Sequence, residues 1–108
     1  MKRHFTDGHE GYRHFMVKCA IYKYLVDLGR DVDIEFDMGN AGIADIFDRS
    51  EGLVYEIQGL MNKRILDKKI YGLYLKNVLV KDVKIIPLYK FSLDNIKNWN
   101  NIIEQFVI

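Results

Sequence analysis

The sequence predicts an α/β domain whose elements follow one another in the order αβββαβα. Three observations carry that expectation. Apolar residues repeat with a helical period as far as Leu28, then alternate with polar ones from Val32 to Phe36. Glycine-containing turns separate the periodic stretches. The two central strand candidates are apolar on both faces, as in a sheet that helices cover on each side.

The first helix is expected from about Gly8 to Leu28. Asp7 and Glu10 have the spacing of a capping box, Gly29 supplies a stop, and Phe15, Cys19, Tyr22 and Val26 form an apolar stripe. Val32, Ile34 and Phe36 then alternate with Asp33, Glu35 and Asp37, a half-polar strand that ends at the turn Met38 to Gly42. Ile43–Asp48 and Leu53–Gln58 flank Arg49-Ser50-Glu51-Gly52 and read as a hairpin. A second helix is expected from Asn62 to about Asn77, with Leu66, Ile70, Leu73 and Tyr74 on its apolar side. Val83–Leu88 reads as a strand with Pro87 near its end, where a missing amide donor is tolerated. Ser92 opens a final helix to about Phe106, packed through Trp99.

A chain of 108 residues, 49% hydrophobic and 29% charged, with one Pro and eight Gly, fits a single domain over residues 1–108. Folding at this size buries roughly two-thirds of the extended chain's surface, enough for one core without staples. The single cysteine, Cys19, excludes an internal disulfide framework and a Cys-rich zinc site, and is compatible with a reducing compartment. No apolar run reaches the roughly 18 residues of a membrane span, and Met1 to Asp7 lack a signal-like apolar stretch, so a cytoplasmic protein is expected. Sixteen Lys plus Arg against fifteen Asp plus Glu give +1, so net charge does not point to a polyanionic partner; charge distribution must.

The hairpin holds the most informative spacing. With a four-residue loop from Arg49 to Gly52, Asp48 faces Leu53 and Asp45 falls opposite Glu56. Opposed residues share a face with Cβ atoms about 4.5–5.5 Å apart, where like charges repel. A divalent cation gives such a pair a purpose, because Mg²⁺ is commonly held by one or two carboxylates, waters and phosphate oxygens. Gln58 lies two residues beyond Glu56 on the same face. The competing reading is a solvated acid at the sheet's rim, or a one-residue register change that sends the two acids to opposite faces.

Asp45 followed by Glu56-Ile57-Gln58 on the next strand, within αβββαβ order, resembles the PD-(D/E)xK nuclease superfamily over roughly Gly8 to Leu88. The resemblance implies a restriction-endonuclease-like αβββαβ core, a mixed sheet flanked by helices, with a C-terminal helix added. It implies that Asp45, Glu56 and the Ile57 carbonyl bind Mg²⁺ or Mn²⁺, and that position 58 orients the attacking water. Gln58 stands where lysine is usual, as in the Glu-x-Gln, competence-protein-like members. A neutral amide positions water but does not accept its proton at neutral pH, so metal-bound water or another base must do more.

Glu10, His14 and Lys18, spaced i, i+4, i+8, line one stripe of the first helix. Competence-protein-like nucleases carry a His and a Lys on this helix that His14 and Lys18 resemble, so Lys18 is a candidate replacement for the missing lysine and His14 a candidate contact to bound water or phosphate. The alternative is a solvated, salt-bridged helix face. Glu35 is a further candidate metal ligand if the first turn's length places it on the face of Asp45, although Asp33 and Asp37 share its alternation. In the second helix Lys63, Arg64, Lys68, Lys69 and Tyr71 are candidate nucleic-acid contacts by charge and stacking; the alternative is a solvated basic face. Tyr74 is expected in the core, as is Cys19.

The chain has no P-loop, no His-Glu-x-x-His zinc motif and no Gly-x-Ser-x-Gly nucleophile turn. The function that the resemblance implies is a Mg²⁺-dependent (or Mn²⁺-dependent) endonuclease acting on DNA, with homodimerisation as a means of cutting two strands and a branched or junction DNA as substrate by analogy with small Holliday-junction resolvases. The alternatives are a nucleic-acid-binding module that keeps the nuclease fold without its activity, and a protein-interaction domain.

Overall fold

The computed structural model describes residues 9–39, 42–59 and 74–107; of His9 and Glu10 it describes the backbone. Helix α1 (His9–Asp27) leads into strands β1 (Val32–Asp37), β2 (Ile43–Asp48) and β3 (Leu53–Gln58). Strand β4 (Asp82–Pro87) and helix α2 (Trp99–Val107) close the order, with short 3-10 segments at Tyr74–Lys76, Leu88–Lys90 and Leu93–Asn98. The class is α/β, as expected. Among the described residues no helix is long and apolar enough to cross a membrane.

The strands form one four-stranded sheet in the order β1-β2-β3-β4. β1 to β3 run antiparallel in succession, and β4 lies parallel to β3, so the sheet is mixed. The hairpin has the expected register, with Asp48 across from Leu53 and Ile46 across from Tyr55. Gly52 ends its loop with φ at 69°, a left-handed conformation open to glycine. Its carbonyl accepts the amide of Lys81 at 2.7 Å, which ties the hairpin to the approach of β4.

One face of the sheet packs Ile46, Tyr55, Ile57 and Ile86 against Val17, Ile21 and Leu25 of α1 and Trp99, Ile103 and Val107 of α2. The opposite face is lined by Ala44, Phe47, Val54 and Val83, covered by Tyr74 and Val80. Both described helices therefore lie on one face, and the segment before β4 covers the other.

Two helical details correct the expectation, the first of them in α1. Its deeply buried stripe is Val17, Ile21 and Leu25, whereas Cys19 and Val26 are exposed and Phe15 and Tyr22 are half-buried. The helix offers apolar residues on several sides, so spacing alone does not choose the side the sheet will cover. The final helix is also not continuous from Ser92. Asn95 has non-helical angles (φ −112°, ψ 24°), and its side chain accepts the Ser92 amide at 2.9 Å while also accepting from Trp99 Nε1 at 2.8 Å. The α-helical part thus begins at Trp99, whose ring meets Phe91 edge-on with centroids 5.5 Å apart. Most of the expected second helix lies outside the described residues; its described end, Tyr74–Lys76, is a 3-10 turn.

Candidate active site

The sheet changes the facing of its side chains at one level. Val32 and Phe36 are an even number of residues apart in β1, yet belong to opposite faces, and so do Ala44 and Ile46 in β2. Strict alternation would keep each pair together. Glu35 lies between Val32 and Phe36 and has φ at 57°, the one described non-glycine residue with positive φ. Asp45 lies between Ala44 and Ile46. The paired residues on either side, Ile34 with Ile46 and Phe36 with Ala44, put Glu35 across from Asp45. A left-handed residue costs of the order of 1–2 kcal/mol outside glycine, and such residues concentrate at functional positions.

The switch brings Asp45 to α1. Its Oδ2 is 3.4 Å from His14 Nε2 and its Oδ1 is 3.6 Å from Lys18 Nζ. Lys18 Nζ also donates to Glu35 Oε2 at 2.9 Å. The Lys18 side chain is 1% exposed, so this ammonium is held inside the protein by carboxylates rather than by water. His14 Nε2 is 3.1 Å from the Ile57 carbonyl oxygen, which makes His14 a bridge between β2 and β3.

Asp45 and Glu56 interlock through the backbone. The Asp45 amide donates to Glu56 Oε2 at 2.8 Å, and the Ile57 amide donates to Asp45 Oδ2 at 2.8 Å. Where the β2–β3 ladder passes beyond Ile46 and Tyr55, two carboxylates thus accept amides that ladder carbonyls accept elsewhere. Burial by itself would raise the Asp45 pKa, but the bond to His14, the His14 charge, the Ile57 amide and Lys18 outweigh it and hold the carboxyl below its ordinary value. Glu56 is 3% exposed. Gln58 is half-buried at the end of β3, across from Pro87 of β4.

Tyr74 joins the site from the other side. Its hydroxyl lies 3.4 Å from the Ile43 carbonyl and is hydrogen-bonded to Glu56. Burial, followed by the charges of Glu56 and Asp45, pushes its pKa far up, so the phenol stays protonated and donates. Sequence spacing assigned Tyr74 to an apolar stripe; its ring is indeed buried, but no spacing signal announces where its hydroxyl ends. Asp48, which spacing places only in the hairpin register, is a second buried acid: it is fully buried and accepts from Arg30 Nη1 at 2.9 Å, at the hairpin end of the sheet.

Of the candidate residues, the structure gathers His14, Lys18, Glu35, Asp45, Glu56 and the Ile57 carbonyl, with Gln58 adjoining. Lys63, Arg64, Lys68, Lys69 and Tyr71 lie outside the described residues, as does the side chain of Glu10. Among the described residues no group of three or more His, Cys, Asp or Glu is arranged to hold a metal ion. Comparison of the chain with family models, with curated proteins and with solved structures finds no match.

Proposed function

We propose that this protein is a metal-dependent nuclease that hydrolyses phosphodiester bonds of DNA, with Mg²⁺ or Mn²⁺ as cofactor. The observation that carries the reading is the interlocked pair Asp45 and Glu56, two carboxylates pinned on adjacent central strands beside a buried lysine and a histidine. Packing alone gives no reason to bury like charges together, whereas a hard cation does.

The donor set fits such an ion: carboxylate oxygens of Asp45 and Glu56 with the Ile57 carbonyl are all hard oxygens, and Asp45 retains 14% side-chain exposure. When bound there, the ion would activate water and neutralise charge on the phosphate. The chain's own groups do the rest. The amides of Asp45 and Ile57 fix the two carboxylates in place. His14, with Nε2 beside both Ile57 O and Asp45 Oδ2, orients the rim and can hold or pass a proton there. Gln58 positions water or phosphate by its amide without accepting a proton. Lys63, Arg64, Lys68, Lys69 and Tyr71 are the proposed DNA contacts, a homodimer the proposed assembly, and branched or junction DNA the proposed substrate.

A second reading, a DNA-binding module without activity, is favoured by Gln58 in place of a cationic residue and by His14 already standing on the Ile57 carbonyl. One experiment separates the two. Single-stranded, duplex and four-way-junction DNA are incubated with the protein and Mg²⁺, Mn²⁺ or EDTA, beside Glu56→Ala. Metal-dependent cutting that the variant lacks supports the nuclease. Binding without cutting, unchanged in Glu56→Ala, supports the module and removes the catalytic role of the acid pair.

A further inference from the structure

The third acid of the cluster behaves differently from the other two. Glu35 sits level with Asp45 on the neighbouring strand, so position alone offers it to the same cation. Its carboxylate, however, accepts from Lys18 Nζ at 2.9 Å, closer than the 3.6 Å between Lys18 and Asp45. The backbone at Glu35 is left-handed, which any residue but glycine adopts at a cost. Glycine would relieve that cost but could not answer Lys18, whose side chain is 1% exposed and whose ammonium needs a buried counter-charge.

We propose that Glu35 is a positioning residue: its strained backbone aims the carboxylate at Lys18, fixing the ammonium beside Asp45, and the divalent cation is left to Asp45 and Glu56. This rests on the nuclease reading of the same site. Lys18 then serves as a built-in cation. Glu35 and Asp45 both stand at the single Lys18 ammonium, at 2.9 and 3.6 Å, while Glu56 is held by the Asp45 amide. A second divalent ion bound through Glu35 would have to displace Lys18 from its enclosed position or stand against its positive charge. The cofactor requirement is thus one ion per site, and the counter-charge of Glu35 keeps Lys18 from closing on Asp45 and competing for it.

The test is carboxyl ¹³C and lysine ammonium NMR on the wild-type protein during a Mg²⁺ titration, with calorimetry for stoichiometry. The inference expects the Asp45 and Glu56 carboxyl signals to move, the Glu35 carboxyl signal and its hydrogen-bond correlation to the Lys18 ammonium to persist, and one ion to bind per chain. In Lys18→Met the Glu35 carboxyl should join the Mg²⁺ response, which a residue serving only to hold the backbone would not do. Movement of the Glu35 signal together with Asp45 and Glu56 in the wild type, or uptake of two ions, overturns the inference and leaves the nuclease reading standing. If neither Asp45 nor Glu56 responds to Mg²⁺, the nuclease reading itself fails, and the inference with it. The wild-type measurement decides the matter even if Lys18→Met does not fold.

Discussion

Asp45 and Glu56 are bound to each other's strands rather than to each other: Glu56 Oε2 accepts the Asp45 amide and Asp45 Oδ2 accepts the Ile57 amide, each at 2.8 Å. Two like charges are held in one place by the backbone, so the pair can be taken apart by chemistry that separates charge from hydrogen bonding.

Glu56→Ala leaves the Asp45 amide without its acceptor and should cost about 1–3 kcal/mol, the penalty of a buried unsatisfied group. Glu56→Gln keeps an oxygen for that amide, so it should lose less stability in urea than Glu56→Ala. Both should lose Mn²⁺ uptake. Urea melts in EDTA beside Mn²⁺ calorimetry check this; equal destabilisation by the two variants would remove the proposed role of the amide.

The depressed pKa of Asp45 makes stability depend on acid. A carboxyl held below its ordinary value of 3.8 binds fewer protons folded than unfolded through that window. Its contribution is therefore present above the unfolded value and is lost as pH falls through the folded one. In EDTA the wild type should lose stability on acidification below roughly pH 4, the ordinary carboxyl range, and Asp45→Asn should show a shallower slope there. Parallel pH profiles for the two proteins would contradict the assignment.

Lys18 and Glu35 should behave as a pair. Lys18→Met removes the ammonium that Glu35 and Asp45 share and should destabilise by about 3 kcal/mol, the low end for a broken buried pair since Glu35 keeps 18% exposure. Lys18→Met/Glu35→Gln removes both charges and should recover most of that loss. Additive losses in denaturant melts of the four proteins would show that the two residues do not act together.

The hairpin turn offers a test away from the site. A Cβ at Gly52 would stand 3.0 Å from both the Leu79 carbonyl oxygen and Lys81 Cγ, with φ at +69°, whereas at Gly39 nothing lies within 4 Å. Gly39→Ala should cost only the left-handed term, about 1–2 kcal/mol. Gly52→Ala should cost more, because the opposing backbone oxygen belongs to the segment it anchors through the Lys81 amide. Thermal melts of the two variants give the comparison directly.

Much of the frame was legible in residue spacing. The strands are legible because their alternation survives on the hairpin side of the site, and the four-residue loop Arg49 to Gly52 sets the pairing of Asp48 with Leu53; the ladder runs to Ile46 and Tyr55, and beyond it Asp45 and Glu56 are joined through amide–carboxylate bonds. Trp99 was placed correctly because its size and polar edge call for burial with a partner, which Ser92 O provides at 2.9 Å. The buried stripe of α1 was not legible, nor was the exposure of Cys19, since several sides of that helix are apolar and the sheet selects among them.

What the sequence by itself determined is the order of the elements and which acids share a level of the sheet, because both follow from period and loop length, and these are local quantities. The tertiary structure decided what those acids face. A single left-handed residue at Glu35 and the matching change at Asp45 turn side chains from one face of the sheet to the other, and alternation carries no signal of such a turn. Packing of α1 then encloses Lys18 against Glu35 and Asp45, and the fold before β4 brings the Tyr74 hydroxyl to Glu56. These contacts join residues distant in the chain, so their chemistry exists only once the sheet and its coverings have closed around them.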